Sequence, residues 1–149
     1  MKINLTLTFL HYLIHQLIMQ YEPDPLAFTH AGFADDRGGN SVEVRFNGRK
    51  ENLHSFWDTG LVELEPGTPV EIAARIQAAV SSEDLHQWQK GTPTEWALES
   101  LAIVRAQVYR LPSSGEISAN YIESARAVIQ TLMGQAGARM ALVLNESLK

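Results

Sequence analysis

The chain of 149 residues contains no cysteine. That absence excludes a disulfide scaffold, a thiolate zinc finger and a cysteine nucleophile, so any metal site must be built from His, Asp and Glu. Positive charge is also scarce. Twelve Lys and Arg stand against seventeen Asp and Glu, a formal net charge of −5. A broad cationic surface for nucleic acid is therefore not expected, because such surfaces depend on clustered Lys and Arg, while partners reached through a metal or a few local groups stay open. Long hydrophobic runs are lacking as well, and the sequence shows no stretch suited to crossing a bilayer. What remains is a hydrophobic content of 45% with 19% charged residues, enough to build a packed core.

The chain divides into three zones. In the first, residues 10, 13, 14, 17, 18 and 21 share one helical face, which predicts a packed amphipathic helix. Its basic start and apolar middle also resemble a signal peptide, but no small-x-small cleavage site follows. Pro23 and Pro25 close it. The second zone, about residues 28 to 66, is rich in glycine. Within it Val42, Val44 and Phe46 alternate with Glu43 and Arg45, and Asn47-Gly48 follows, predicting a short β-hairpin. A helical turn is expected over Asn52 to Asp58.

The third zone is helical. Thr68-Pro69-Val70-Glu71 and Thr92-Pro93-Thr94-Glu95 each place Thr at the N-cap, Pro at the first helical position and Glu at the third. A short helix is expected near Ser82 to Trp88 and a long one over Ala119 to Glu146. Gly134 and Gly137 inside the long helix allow either a close helix contact or a bend. Trp57 and Trp96 read as core residues, with base stacking as the alternative.

The chemistry concentrates in the second zone. His54 and Asp58 lie four residues apart, so a helix places imidazole and carboxylate on one face, one turn apart. Both ligate borderline divalent ions such as zinc, and both also occur as a plain surface pair. His30 opens a glycine-rich loop that the hairpin can fold back toward His54. Two His and one carboxylate leave a coordination position open, the catalytic style of zinc site. Alternatively His30 caps a turn. Asn40, after two glycines, either aims its amide at an anion or serves as a turn residue.

The run His30 to Asn40, followed by Asn52-Leu53-His54-Ser55-Phe56-Trp57-Asp58-Thr59-Gly60-Leu61, resembles the S1/P1 nuclease family. These are zinc-dependent, single-strand-preferring nucleases related to bacterial zinc phospholipase C. Trp96-Ala97-Leu98-Glu99-Ser100, Val108-Tyr109, Gln135-Ala136-Gly137 and Leu144-Asn145 fit the same family. The resemblance implies an all-α, phospholipase C/P1 nuclease-like fold with one small β-hairpin. It implies three zinc ions, two close together and a third apart, bound by two His and an acid. His30, His54 and Asp58 match the ligands of that third zinc, and Asn40 matches the residue that contacts the substrate phosphate. Asp58 fits the nuclease branch, since the phospholipase branch places Glu there. The implied partners are single-stranded DNA or RNA and nucleotides, with no membrane, and the implied location is secreted or periplasmic.

Upstream of His30 the sequence departs from the family pattern. Asp24 stands at the right distance for another zinc ligand, but Gln20 occupies the position of a His. Pro23 and Pro25 do not suit the helix interior expected there. Ala27-Phe28-Thr29 replaces the expected Gln-Pro-Leu, and no Trp precedes Trp57. The expectation is therefore a divergent leader over 1–29 and the C-terminal part of the nuclease-like domain over 30–149, N-terminally truncated. One zinc site is retained, and nuclease activity is expected to be weak or absent. The alternative is a non-catalytic zinc-binding remnant, or one half of a split enzyme. Helix faces left uncovered by such a truncation would favour self-association.

Overall fold

A computed structural model describes residues 36–148. His30, Asp24, Gln20 and the expected leader helix lie outside the described residues. Among the described residues the protein is all-α with one small β-hairpin, as expected.

Strands β1 (Glu43–Phe46) and β2 (Arg49–Asn52) pair antiparallel, with Glu43 opposite Asn52 and Phe46 opposite Arg49. Asn47 and Gly48 join them at φ 49° and 75°, the two left-handed residues that a type I′ turn needs. The alternation holds: Val44 is fully buried while Glu43 and Arg45 face water. On its other edge β1 takes a short pairing with the chain near Glu116, where Arg45 N donates to Gly115 O and Ile117 N to Arg45 O. The hairpin thus has one covered edge.

Asn52 ends β2 and caps α1 (Leu53–Ser55), its side-chain oxygen accepting from Ser55 N at 2.7 Å. The helix does not stay regular. It widens into a π-helical turn over Phe56–Gly60, where Leu61 N donates to Phe56 O, and resumes as α2 (Leu61–Glu63). Leu53, Phe56, Trp57 and Leu61 are buried along this segment.

Helices α3 (Pro69–Ala79) and α5 (Pro93–Ile103) start at the two predicted capping boxes, with Thr68 and Glu71 in one and Thr92 and Glu95 in the other. Between them α4 (Ser82–Trp88) carries a third, made by Ser81 and Asp84. A second π-helical turn, Val104–Val108, follows α5. Helix α6 (Ala119–Ser147) is 29 residues long and packs against α2, α3, α4 and the second π turn. By length and composition alone α6 is apolar enough to cross a membrane, which corrects the expectation that no stretch qualifies. Its apolar side serves the core: Ala125, Ile129, Met133 and Ala136 join Val44, Leu53, Phe56, Leu61, Ile72 and Ile117 in one cluster.

Two buried charges fasten α6 to its neighbours. Glu65 accepts from Arg126 Nε at 2.8 Å and from Gln130 Nε2 at 2.9 Å. Toward the other end of the helix, Arg139 donates to Trp88 O at 2.9 Å, pairs with Glu99 and lies 5.1 Å from the centre of the Trp96 ring. Each charge is matched, so burial does not leave it uncompensated. Trp96 also donates to Lys90 O at 2.7 Å, a core role in keeping with its sequence reading.

Gly134 is a close-contact glycine. A Cβ there would stand 2.8 Å from Trp88 Cζ3 and 3.1 Å from Cη2. Gly134→Ala is expected to lower the thermal midpoint, because overpacking against a rigid indole costs about 2 kcal/mol while the gain in helix propensity is about 1 kcal/mol. Thermal unfolding followed by circular dichroism checks this, and a raised midpoint would overturn the contact.

Candidate metal centre

The candidate site is built where a glycine-rich loop, residues 36–41, lies across the start of α1. Arg37, Gly38 and Gly39 are all left-handed, with φ of 56°, 64° and 85°. Glycine takes such angles without steric cost, whereas Arg37 does not. Gly39 is buried, and its carbonyl accepts from Val42 N at 3.2 Å and from His54 N at 3.4 Å. A Cβ on Gly39 would approach His54 N to 3.3 Å, so the loop can press close to the helix only with glycine there.

Asp36 braces this loop from within. Its Oδ1 accepts from Gly38 N at 2.9 Å and its backbone carbonyl from Ser41 N at 3.0 Å. Its Oδ2 accepts a hydrogen bond from the Tyr109 hydroxyl, far along the chain. Burial, then the hydrogen bond and charge of Asp36, push the Tyr109 phenol well above its ordinary range and keep it a donor.

His54 is half-buried, and its Nδ1 lies 3.3 Å from Gly38 O. A carbonyl only accepts, so this contact is a hydrogen bond when Nδ1 carries a proton, and in the neutral ring that leaves the lone pair on Nε2. This is the arrangement of a metal-binding imidazole, whose far nitrogen donates to a carbonyl or carboxylate. Asp58 follows within the first π turn and is also half-buried. π-helical turns inside helices recur at functional sites.

Asn40 is exposed. Its Nδ2 donates to Arg37 O at 2.9 Å, so one of its two N–H bonds closes the turn. His30 lies outside the described residues, and among the described residues no three His, Asp or Glu side chains gather as a metal-binding group. The structure therefore describes two of the three expected ligands, both on the segment after β2.

Behind Asp58 stands a hydrogen-bonded relay. Trp57 Nε1 donates to the Tyr121 hydroxyl at 2.8 Å, and that hydroxyl donates to Val108 O at 2.6 Å. The two rings meet edge to face at 6.2 Å. Trp57 is thus a buried anchor, as its core reading expected. Val108 and Tyr109 support both candidate ligands: the carbonyl of one holds the relay beside Asp58, and the side chain of the other holds the loop against His54. Sequence reasoning missed the roles of Asp36, Tyr109 and Tyr121. No spacing rule links residues 73 or 64 positions apart.

The sequence model of the S1/P1 Nuclease family matches residues 24–149. The chain belongs to the S1/P1 nuclease family. Among its relatives, Endonuclease 4 of Arabidopsis thaliana is 30% identical, over 93% of this chain and 52% of its own length. Nuclease S1 of Aspergillus oryzae is 26% identical, over 74% of this chain and 46% of its own. Nuclease P1 of Penicillium citrinum is 27% identical, over 73% and 48%. The chain spans about half the length of the curated relatives it matches. The match to the family begins six residues before His30, the point at which the sequence motifs first show the resemblance. In S1/P1 terms, the described half of the candidate site is the glycine loop, the His54–Asp58 segment and the Val108–Tyr109 support.

The relay makes a pH-dependent prediction. Burial, partly offset by the hydrogen bond from Trp57, pushes the Tyr121 phenol from its ordinary 10.0 up to about 12. As pH rises, the unfolded chain loses this proton first. The contribution is fully present below about pH 10 and is lost between about pH 10 and 12. Tyr121→Phe is expected to lower stability at neutral pH by about 1–3 kcal/mol, since two buried partners lose their match, and to flatten the alkaline fall. Thermal melts from neutral to strongly alkaline pH test this. Equal slopes in both proteins would rule out the Tyr121 contribution.

Proposed function

We propose that this chain carries one zinc site of an S1/P1-type phosphodiesterase acting on single-stranded DNA or RNA, with nucleotides as products. The observation that supports it most is His54, whose Nδ1 faces Gly38 O while Asp58 follows on the same helical segment. Family membership gives that pair its meaning, since a His and an Asp at this spacing are otherwise unspecific. Two imidazoles and a carboxylate suit zinc by the chemistry of the donor set. On this reading His30, His54 and Asp58 hold the ion. When bound, zinc supplies Lewis-acid polarisation of a phosphoryl oxygen and lowers the proton affinity of a coordinated water.

The remaining work falls to the chain's own groups. Gly38 O holds the His54 proton on Nδ1 and so presents Nε2. Asp58 adds a negative charge that makes the site selective for a cation. Asn40, exposed on the same loop, keeps one N–H on Arg37 O and directs the other toward a phosphate oxygen. The net charge of −5 repels a polyanion at long range, so phosphate must be captured locally.

Activity of this chain alone is expected to be weak or absent, because Gln20 stands where the family pattern needs a His ligand. A second reading is a non-catalytic zinc module, or one half of a split enzyme. It draws support from the departures from the family pattern upstream of His30, Gln20 among them. Residues 30–149 then form the C-terminal part of the nuclease-like domain and residues 1–29 a divergent leader, with secretion or periplasmic residence. Self-association is part of the same proposal, with Leu98 at 58% and Leu148 at 72% exposure as accessible apolar positions.

Elemental analysis of the purified chain is expected to give about one zinc per chain, and His54→Ala is expected to remove it. Near three zinc ions per chain would refute the single-site reading, and none would refute the retained site. Degradation of single-stranded DNA with and without a chelator separates the two functional readings. Chelator-sensitive cleavage supports the enzyme, and zinc binding without cleavage supports the module.

A further inference from the structure

We propose that Tyr109 and Asp36 are positioning residues that hold the His54 imidazole with its Nε2 lone pair presented for ligation, acting through the glycine loop. The inference deepens the proposed zinc site and rests on His54 being one of its ligands.

The connection is continuous. The Tyr109 hydroxyl donates to Asp36 Oδ2, Asp36 Oδ1 accepts from Gly38 N at 2.9 Å, and Gly38 O lies 3.3 Å from His54 Nδ1. Asp36 therefore works as a bracket with two sides. One carboxylate oxygen fixes the peptide that leads into Gly38, and the other fixes the bracket to the body of the protein. The loop has its own hydrogen bonds and the His54 N–H on Gly39 O, and Tyr109 adds an anchor from outside the segment. Arg37, Gly38 and Asn40 are exposed, so water competes for their backbone groups. Three left-handed residues in succession, one of them the non-glycine Arg37, do not hold their shape by local preference.

Tyr109 is suited to anchor it. It is half-buried and sits one residue after Val108, whose carbonyl receives the Tyr121 hydroxyl at 2.6 Å. The same backbone position is thus held by α6 and by the ligand-bearing segment through Trp57 and Tyr121. A shift of Tyr109 against His54 would strain that relay. The orientation of Gly38 O is consequently referenced to the core rather than to the loop. A carbonyl fixed in this way selects one imidazole tautomer, and outer partners of this kind tune metal affinity without touching the ion.

Two readouts test the proposal on the full 149-residue chain. The first is the His54 tautomer in metal-free protein at about pH 8, where free imidazole is neutral, read from ring-nitrogen NMR correlations. The Nδ1–H form is expected in the wild type, and Tyr109→Phe is expected to lose that preference. The second is zinc affinity by competition with a chelator. Tyr109→Phe is expected to weaken binding about tenfold, within the range for outer-shell partners of metal ligands. Asp36→Asn keeps the shape and is expected to act in the same direction. The double variant is expected to be no weaker than the stronger single change, because both act on one path. If Tyr109→Phe fails to fold by circular dichroism, Asp36→Asn, which leaves the ring in place, supplies the same readouts.

Folded variants with the wild-type tautomer and wild-type zinc affinity would overturn the proposal. A tautomer change in a protein that takes up no zinc would overturn the zinc site and leave the positioning of His54 supported.

Discussion

The Tyr121 hydroxyl, receiving the Trp57 indole N–H and donating to the Val108 carbonyl, is the contact on which the candidate site depends. It joins three parts of the chain that are distant in sequence: the segment bearing His54 and Asp58, the π turn after α5, and the first turn of α6. A hydroxyl can donate and accept at once, so one buried oxygen satisfies both neighbours. A phenylalanine of the same shape would fill the space and leave both neighbours unpaired, which is why tyrosine rather than an apolar ring is needed here.

Burial of charge completes the frame. Glu65 and Arg139 are each almost fully buried, and each is held by partners on a different element. Between them they fix α6 against α2, α3, α4 and α5. The apolar side of α6 supplies the attraction, and the two charges supply register, because a slip along the helix would leave a buried ion unmatched. The site inherits this rigidity. Its loop, beyond its own hydrogen bonds and the His54 N–H on Gly39 O, is tied to the frame through Asp36 and Tyr109.

Legibility in the sequence follows the range of the interaction. The capping boxes at Thr68 and Thr92 were readable, because N-cap and third residue lie within one turn and need nothing else. The hairpin turn was readable from Asn47-Gly48 for the same reason. Strand β2 was not readable by itself, since Arg49-Lys50-Glu51-Asn52 contains no apolar residue. It is a strand because the turn delivers it alongside β1. Neither π turn had a local signature. Gly134 was readable as a contact or a bend, and only the position of Trp88 distinguishes the two.

The sequence by itself determined the helix starts, the hairpin turn, the all-α class and the His54 and Asp58 pair, each through contacts spanning a few residues or through motif resemblance. Only the tertiary structure decided what stands behind those two residues. Asp36 and Tyr109 meet across 73 positions, and Trp57 and Tyr121 across 64. No periodicity encodes such meetings. They follow from where the core places α5 and α6, because a hydrogen bond needs its two atoms within about 3 Å and only the packed chain brings them there.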